Sequence, residues 1–500
     1  MVNKIPQQVL DVLEKIENAG FEACAVGGCV RDLLSKNDPK DWDCATNATP
    51  QQIVEIFPDS FYENDFGTVG VKVEPFIENK LLRAEREHDV IEVTTYRIES
   101  AYSDRRRPDE VKFAKTLSED LSRRDFTMNA IAIKVKGQRS KVKNKNEEKF
   151  EIVDLFGGQN DIESKVIRAV GNANERFNED ALRIMRAIRF HSQLNFEIEE
   201  ETFKALQKNA ALISHVANER IKDEFIKIIL SDNPADGVDV MQKIGVLKIV
   251  IPELENGVGI AQNKHHIYTI YQHCLMSLRH CPSEKLEVRL AALFHDIAKP
   301  QTKRGEGLNA TFYNHDHVGA RIVERMLKRM KFSNDIIDKV VLLVDNHMFY
   351  YNPEEVGESS VRKLIRKVGL ANVKDLIDLR IADRLGSGTP KAKPYKLRHL
   401  EYIIEKVSKD AVSVKMLKIN GSDLMQDLKL APGPKIGAIL DVLLAEVIKD
   451  AGKNNQKYLL DRAIELEGED LQKLREMAKE KIEEKKEEDD KEIKGKHWVQ

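Results

Sequence analysis

The chain has 500 residues, enough for three or four domains at roughly 100–200 residues each. It is 41% hydrophobic and 33% charged, a balance that buries a sizeable core; no stretch reaches the roughly 18 apolar residues of a membrane span, and the opening MVNKIPQQVLDVLEKI carries no signal-peptide run, so a cytoplasmic protein without a membrane partner is expected. Eighty basic residues against 83 acidic leave a net charge of −3, so local rather than overall charge decides about a nucleic-acid partner, and five cysteines without CxxC spacing read as reduced thiols.

In chain order, the first informative stretch is Val26–Thr46, VGGCVRDLLSKNDPKDWDCAT. Gly27 and Gly28 follow a short apolar run and let the backbone approach a phosphate, with a helix opening behind them. Arg31 on its first turn offers a planar donor fork to phosphate oxygens. Asp41 and Asp43 stand two apart, on one face if the segment is extended. Two adjacent carboxylates repel, and a divalent cation such as Mg²⁺ relieves that cost while serving an in-line displacement at phosphorus.

Val69–Glu74, Asp89–Tyr96, Asn129–Lys136 and Phe150–Asp154 are rich in Val, Ile and Thr and read as strands. The basic stretch 137–149 between the last two reads as a hairpin tip or flexible insert. From about Asn172 helical periodicity takes over, as in Asp180–Phe190 and Arg220–Leu230. Gly and Pro punctuate the chain near Pro252–Gly259 and Gly386–Pro394. The Lys/Glu-rich last thirty residues or so read as a solvated helix that frays into disorder.

A lone GG or DxD is weak, but GGxVRD followed nine residues later by DxDxxT is much stronger. That pair resembles the signature of the class II tRNA nucleotidyltransferase and poly(A) polymerase family, within the polymerase-β-like nucleotidyltransferases. Asp120–Ala130, DLSRRDFTMNA, is similar to the family's ribose- and phosphate-recognising motif, which implies nucleotide binding by Arg123, Arg124, Asp125 and Asn129. Ala101–Val111 resembles the loop that terminal-A-adding members possess, and Glu92 is a candidate third carboxylate near the metal. In Arg176–Phe190, RFNEDALRIMRAIRF, the resemblance makes Asp180 and Arg183 a template for the incoming base, and it assigns nucleotide contacts to Arg186 and Arg189. Three residues apart on a helix, Asp180 and Arg183 would share a face. The carboxylate accepts from the exocyclic amine of cytosine or adenine and the guanidinium donates to the ring nitrogen, a pairing that uracil and guanine invert. Glu219, Arg220 and Glu224 read as structural support.

Further on, Leu293–Lys299 (LFHDIAK) carries His295 and Asp296, accompanied by His273, His315, His347 and Asp383. This order resembles an HD phosphohydrolase domain, and imidazoles with carboxylates suit Mn, Fe, Co, Ni or Zn. His265, His266 and His317 read as surface or outer residues. NGSDLMQD and APGPKIG resemble the helical tail on which tRNA is expected to rest.

The expected fold is α+β: a polymerase-β-like mixed sheet, then an all-helical neck, body and tail. The expected domains are a head at 1–165, a neck at 166–255, an HD domain at 256–390, a tRNA-binding tail at 391–466 and a charged, partly disordered segment at 467–500. The implied activity is addition of CCA to tRNA from CTP and ATP with Mg²⁺. The alternatives are a poly(A) polymerase or A-adding specialist, and a hydrolase whose polymerase head only binds.

Overall fold

The computed structural model describes residues 5–62, 67–76, 88–99, 111–135, 150–263, 267–389, 391–409, 417–427 and 429–499. The loop at 101–110, the basic insert at 137–149, and His265 and His266 lie outside them. The chain forms two compact units, one running to Val344 and including Gly386–Gly388, the other made of Asp345–Leu385 and the residues from Thr389 onward. The division falls inside the segment expected as a separate 256–390 domain. The cause is packing: helix Ile270–Arg279 lies on Pro234–Lys243, and Leu286–Phe294 on Asn218–Ile229. Arg289 fastens that second contact by donating to the carbonyls of Ile229 and Ser231, both at 2.9 Å.

The first unit begins with a mixed sheet. Its strands are β1 (Ala23–Val26), β2 (Asp43–Thr46), β3 (Ser60–Tyr62), β4 (Thr68–Val73) and β5 (Asp89–Thr95). A small hairpin follows, β6 (Arg97–Glu99) with β7 (Val111–Phe113), and β8 (Ile131–Val135) and β9 (Phe150–Asp154) complete the sheet. The order is β3-β4-β5-β2-β1-β8-β9. Among these described strands β2 and β5 pair parallel, and every other neighbour is antiparallel. β1 reads ACAV and is buried at all four positions, because the sheet is covered on both faces there. Helix Gln7–Asn18 offers one cover, with Val9, Val12, Leu13 and Ile16 spaced to form a single apolar stripe. Tyr96, Leu117 and Leu121 join Cys24, Val26 and Ala45 in the cluster on the other. β8 starts two residues later than expected, since Thr127–Asn129 forms a 3-10 turn ahead of it.

Helices Ala173–Glu179, Leu182–Leu194, Glu200–Asn209, Asn218–Ile229 and Pro234–Lys243 follow the sheet. A Cβ at Gly237 would sit 2.6 Å from Ile228 and 3.0 Å from Ser192, so only glycine permits this helix to approach both neighbours.

The second unit has two apolar clusters. One gathers Leu417, Leu424, Ile439, Leu443, Leu459 and Leu466 with Leu474 and Ala478; the other gathers Val361, Ile377, Leu397 and Leu400 with Ile493 and Val499. Helix Leu471–His497 contributes to both, so the expected frayed tail is a continuous helix, anchored near its end by the buried Ile493 and by Val499 just beyond it. Ile493 and Val499 supply the apolar anchors that the Lys/Glu composition hides. No helix among the described residues is long and apolar enough to cross a membrane.

Candidate active site

Gly27 has φ +83°, a left-handed conformation that β1 needs to turn into helix Gly28–Leu34. A Cβ there would lie 3.0 Å from Arg124 Nη1 and 3.7 Å from Asp43 Oδ2. The missing side chain therefore keeps open a gap between a cation and a carboxylate. Helix Gly28–Leu34 is closed by Ser35 at its C-cap.

Asp43 opens β2, whereas Asp41 lies exposed in the bend just before it, so the strand expected to carry the pair begins only at Asp43. The Trp42 carbonyl accepts from Glu92 N at 3.2 Å, while its side chain is buried. The same parallel ladder sets Glu92 opposite Asp43. Burial pushes the Asp43 carboxyl up, Arg124 draws it back, and the charge of Asp41 adds to the rise. Asp41 thus acts on Asp43 through its charge and Glu92 stands opposite it in the ladder, and carboxylate oxygens are donors that suit a hard divalent cation.

Around this edge each arginine is held by an acid. Arg31 donates to Asp32 at 2.7 and 2.9 Å and to Asn129 Oδ1 at 2.9 Å. Asn129 donates to Asp125 at 3.2 Å, and Asp125 accepts from Arg186 at 2.6 Å. Burial would raise the Asp125 carboxyl, but the Arg186 guanidinium and the hydrogen bonds it receives outweigh that and hold it at about 2. Arg123 and Arg124 share the buried Asp120, at 2.7 and 3.1 Å. Arg31, Arg186 and Arg189 also surround one ring, Phe190, at 5.3, 5.5 and 4.4 Å from its centroid. Such bracing fixes guanidiniums that a nucleotide would otherwise have to order on binding.

The pair expected to select the base is arranged differently from expectation. Asp180 does not share a helix face with Arg183; it ends helix Ala173–Glu179 in extended conformation, and the next helix starts at Leu182. The physical reason is capping: Asp180 Oδ1 accepts from Leu182 N at 3.0 Å, a bond that competes with helix continuation. Its other oxygen accepts from Arg220 at 3.0 Å. Arg183 is buried, donating to Glu179 at 2.6 Å and to the carbonyls of Arg176 and Arg123 at 3.1 and 3.0 Å. Arg189 pairs with Glu224 at 3.0 Å, and burial, assisted by Arg186, lowers it to about 10. Glu179, Arg220, Glu224, Asp120 and Phe190 thus belong to the constellation without having been singled out as site residues. The signal for Asp120 was present: an acid three and four positions before two arginines on a helix.

In the same unit a second cluster is buried. His273 Nε2 lies 3.0 Å from His295 Nε2 and 3.1 Å from Asp296, and His315 Nε2 is 3.2 Å from the other oxygen of Asp296. His295 and His315 place their Nδ1 atoms against the carbonyls of Ala292 and Phe312 at 2.9 and 2.7 Å, which turns their Nε2 atoms inward. Lys299, absent from the expected set, meets Asp296 at 2.6 Å. Burial raises the Asp296 carboxyl, but Lys299 and His295 hold it well below its usual range. His347 and Asp383 belong to the second unit, His347 buried and Asp383 paired with Arg380 at 3.0 Å. His317 is exposed, as expected.

Three family profiles match the chain in order: the poly(A) polymerase head domain at residues 23–168, the RNA- and SrmB-binding region of polymerase A at 195–257, and tRNA nucleotidyltransferase domain 2 at 307–463. The CCA-adding enzyme of Lactococcus lactis subsp. lactis (strain IL1403) is 33% identical over 458 residues, covering 91% of this chain and 97% of that one. The CCA-adding enzyme of Pediococcus pentosaceus is 33% identical over 484 residues, covering 93% of this chain and 100% of its own. Among solved structures, the Bacillus stearothermophilus CCA-adding enzyme in complex with CTP aligns over 92% of this chain and 96% of its own with a TM-score of 0.57 at 24% identity. A tRNA nucleotidyltransferase complexed with a primer tRNA and an incoming ATP analog aligns over 80% of this chain and 100% of its own with a TM-score of 0.53 at 20% identity. Both likenesses are of fold.

Proposed function

The chain belongs to the family of CCA-adding enzymes, and from that membership we propose that its polymerising centre is the edge formed by Asp41, Asp43 and Glu92. The protein adds CCA to tRNA, using CTP and ATP, and the reaction depends on a divalent cation. The observation that carries the site assignment is the gap at Gly27, open between Arg124 and Asp43 where a triphosphate and a metal must meet.

Asp41, Asp43 and Glu92 would hold Mg²⁺, whose hard-oxygen preference matches the donor set. When bound, the cation activates the attacking 3′-hydroxyl and neutralises charge on the leaving pyrophosphate. Arg31 and Arg124 donate to the triphosphate, oriented by Asp32, Asn129 and Asp120. Asp125 aligns Arg186 and Asn129 rather than touching phosphate, being saturated by their donors. Asp180, steadied by Arg220, accepts from the exocyclic amine of C or A, and Arg183, steadied by Glu179, donates to the ring nitrogen. The head at 1–165, the neck at 166–255 and the tail at 391–466 divide catalysis, base selection and tRNA binding between them. Asp41→Ala and Asp43→Ala should each abolish incorporation of both nucleotides while tRNA affinity stays nearly intact. Incorporation above about 1% of wild type in both single variants, a loss of under two orders of magnitude, contradicts the assignment.

A second activity is favoured by one observation, the convergence of His273, His295 and His315 on Asp296. That set fits a Mn-, Fe-, Co- or Ni-type ion. It would make an HD-type phosphohydrolase centre acting on phosphomonoesters or 2′,3′-cyclic phosphates.

A further inference from the structure

Three residues after Asp296 the chain buries a lysine, Lys299. A buried ammonium needs partners, and this one has three of different kinds. It meets Asp296 Oδ2 at 2.6 Å, donates to Gln262 Oε1 at 2.8 Å and lies 5.5 Å from the centroid of the Phe312 ring.

The carboxylate oxygen it meets is also one corner of a ligand triangle. His273 Nε2 and His295 Nε2 stand 3.0 Å apart and lie 3.1 and 3.4 Å from the same Asp296 Oδ2. Metal–ligand bonds of about 2.1 Å, at angles between octahedral and tetrahedral, set neighbouring ligand atoms about 3.0–3.4 Å apart. The three buried atoms therefore have the spacing that a first-row divalent ion requires. His295 Nδ1 faces the Ala292 carbonyl, which can only accept, so the neutral ring turns its Nε2 lone pair toward the carboxylate. A lone pair and a carboxylate repel, and a buried focus of both is stable only beside a cation. Lys299 supplies that cation.

An ion about 2.1 Å from Asp296 Oδ2 and an ammonium 2.6 Å from the same oxygen can stand at most about 4.7 Å apart. Burial screens their repulsion weakly. We propose that Lys299 is a built-in competitor of the metal: it neutralises Asp296 while the histidine cluster holds no ion, and it yields that oxygen when an ion enters, keeping Gln262 and the Phe312 ring as partners. This rests on the reading of the cluster as a metal-dependent hydrolase and adds what sets its occupancy. The cluster stays folded when metal is scarce, and the second activity follows the metal supply.

Calorimetric titration of the metal-stripped, full-length protein with Co²⁺ tests this, with excess Mg²⁺ present to fill the oxygen-rich edge of the head and not the imidazoles. Lys299→Met and Lys299→Gln remove the charge and keep much of the side-chain volume. Each should bind Co²⁺ about tenfold or more tightly than wild type, as loss of a like charge at this range implies. Without metal each should melt below wild type, because Asp296 loses its counter-charge, and Co²⁺ should raise the melting temperature more than it does in wild type. Co²⁺ affinity in both variants equal to or weaker than wild type overturns the proposal, as does a melting shift no larger than that of wild type. If neither the wild type nor either variant takes up Co²⁺, the metal reading falls and the proposal with it. Co²⁺ binding without hydrolysis refutes the hydrolase alone, and the affinities still decide the competition.

Discussion

Glu92 stands opposite Asp43 in the parallel ladder of β2 and β5, the one parallel pairing among the described strands of the main sheet. Parallel register keeps paired residues on the same face, so a carboxylate far away in sequence arrives opposite the second acid of the DxD segment. If Glu92 supports the cation, Glu92→Gln should lower kcat on the order of 10–100-fold, as loss of a supporting metal-site group does, and raise the Mg²⁺ concentration needed for half-maximal rate. A kcat and metal dependence equal to wild type place Glu92 outside the site.

The role proposed for Asp43 costs stability. Because burial raises its carboxyl, ionising it costs the folded state, and the metal-free protein should lose stability as pH rises through that titration. Asp43→Asn should therefore melt at or above the wild-type temperature without metal, flatten the pH dependence, and be catalytically dead. Thermal melts from pH 4 to 8, with and without Mg²⁺, check this. A variant clearly less stable than wild type at pH 8 without metal contradicts it.

The Asp125–Arg186 pair has the opposite sign. A carboxyl held at about 2 in the fold stabilises fully above the ordinary carboxylate range and loses that contribution as pH falls from about 4 to about 2. Asp125→Asn should cost about 2 kcal/mol or less at pH 7, less than a fully buried pair because the Arg186 side chain is 34% exposed. The gap to wild type should close towards pH 2 in denaturant titrations. It should also raise the CTP KM, since Arg186 and Asn129 lose their brace.

Much of this site was legible because it is local. The Gly-Gly turn, the DxD segment, the adjacent arginines and the strands near 69–74 and 89–96 all carry their chemistry within a few residues. What escaped was set by distance or by a competing local bond. Glu224 reaches Arg189 from another helix, and no spacing rule connects them. The break at Asp180 has no Gly or Pro to announce it; a capping bond to Leu182 makes it. The terminal helix hid its two anchors, Ile493 and Val499, within a run of lysines and glutamates.

The histidine cluster makes a separable prediction. Protein reconstituted with Mn²⁺, Ni²⁺ or Co²⁺ should bind metal and cleave 2′,3′-cyclic AMP or p-nitrophenyl phosphate. His295→Ala should abolish both, with CCA addition unchanged. No metal uptake and no hydrolysis with any of the three ions would leave these histidines a structural role only.

Nucleotide incorporation into tRNA lacking its 3′-terminal CCA tests the central claim most directly. With CTP and ATP together, the account predicts three additions in the order C, C, A; with ATP alone, almost none. UTP and GTP should be refused at every step, and Arg183→Ala should relax that refusal, since Asp180 and Arg183 are the groups proposed to read the base. Long A tails from ATP alone, or equal use of all four nucleotides by the wild-type protein, would contradict it.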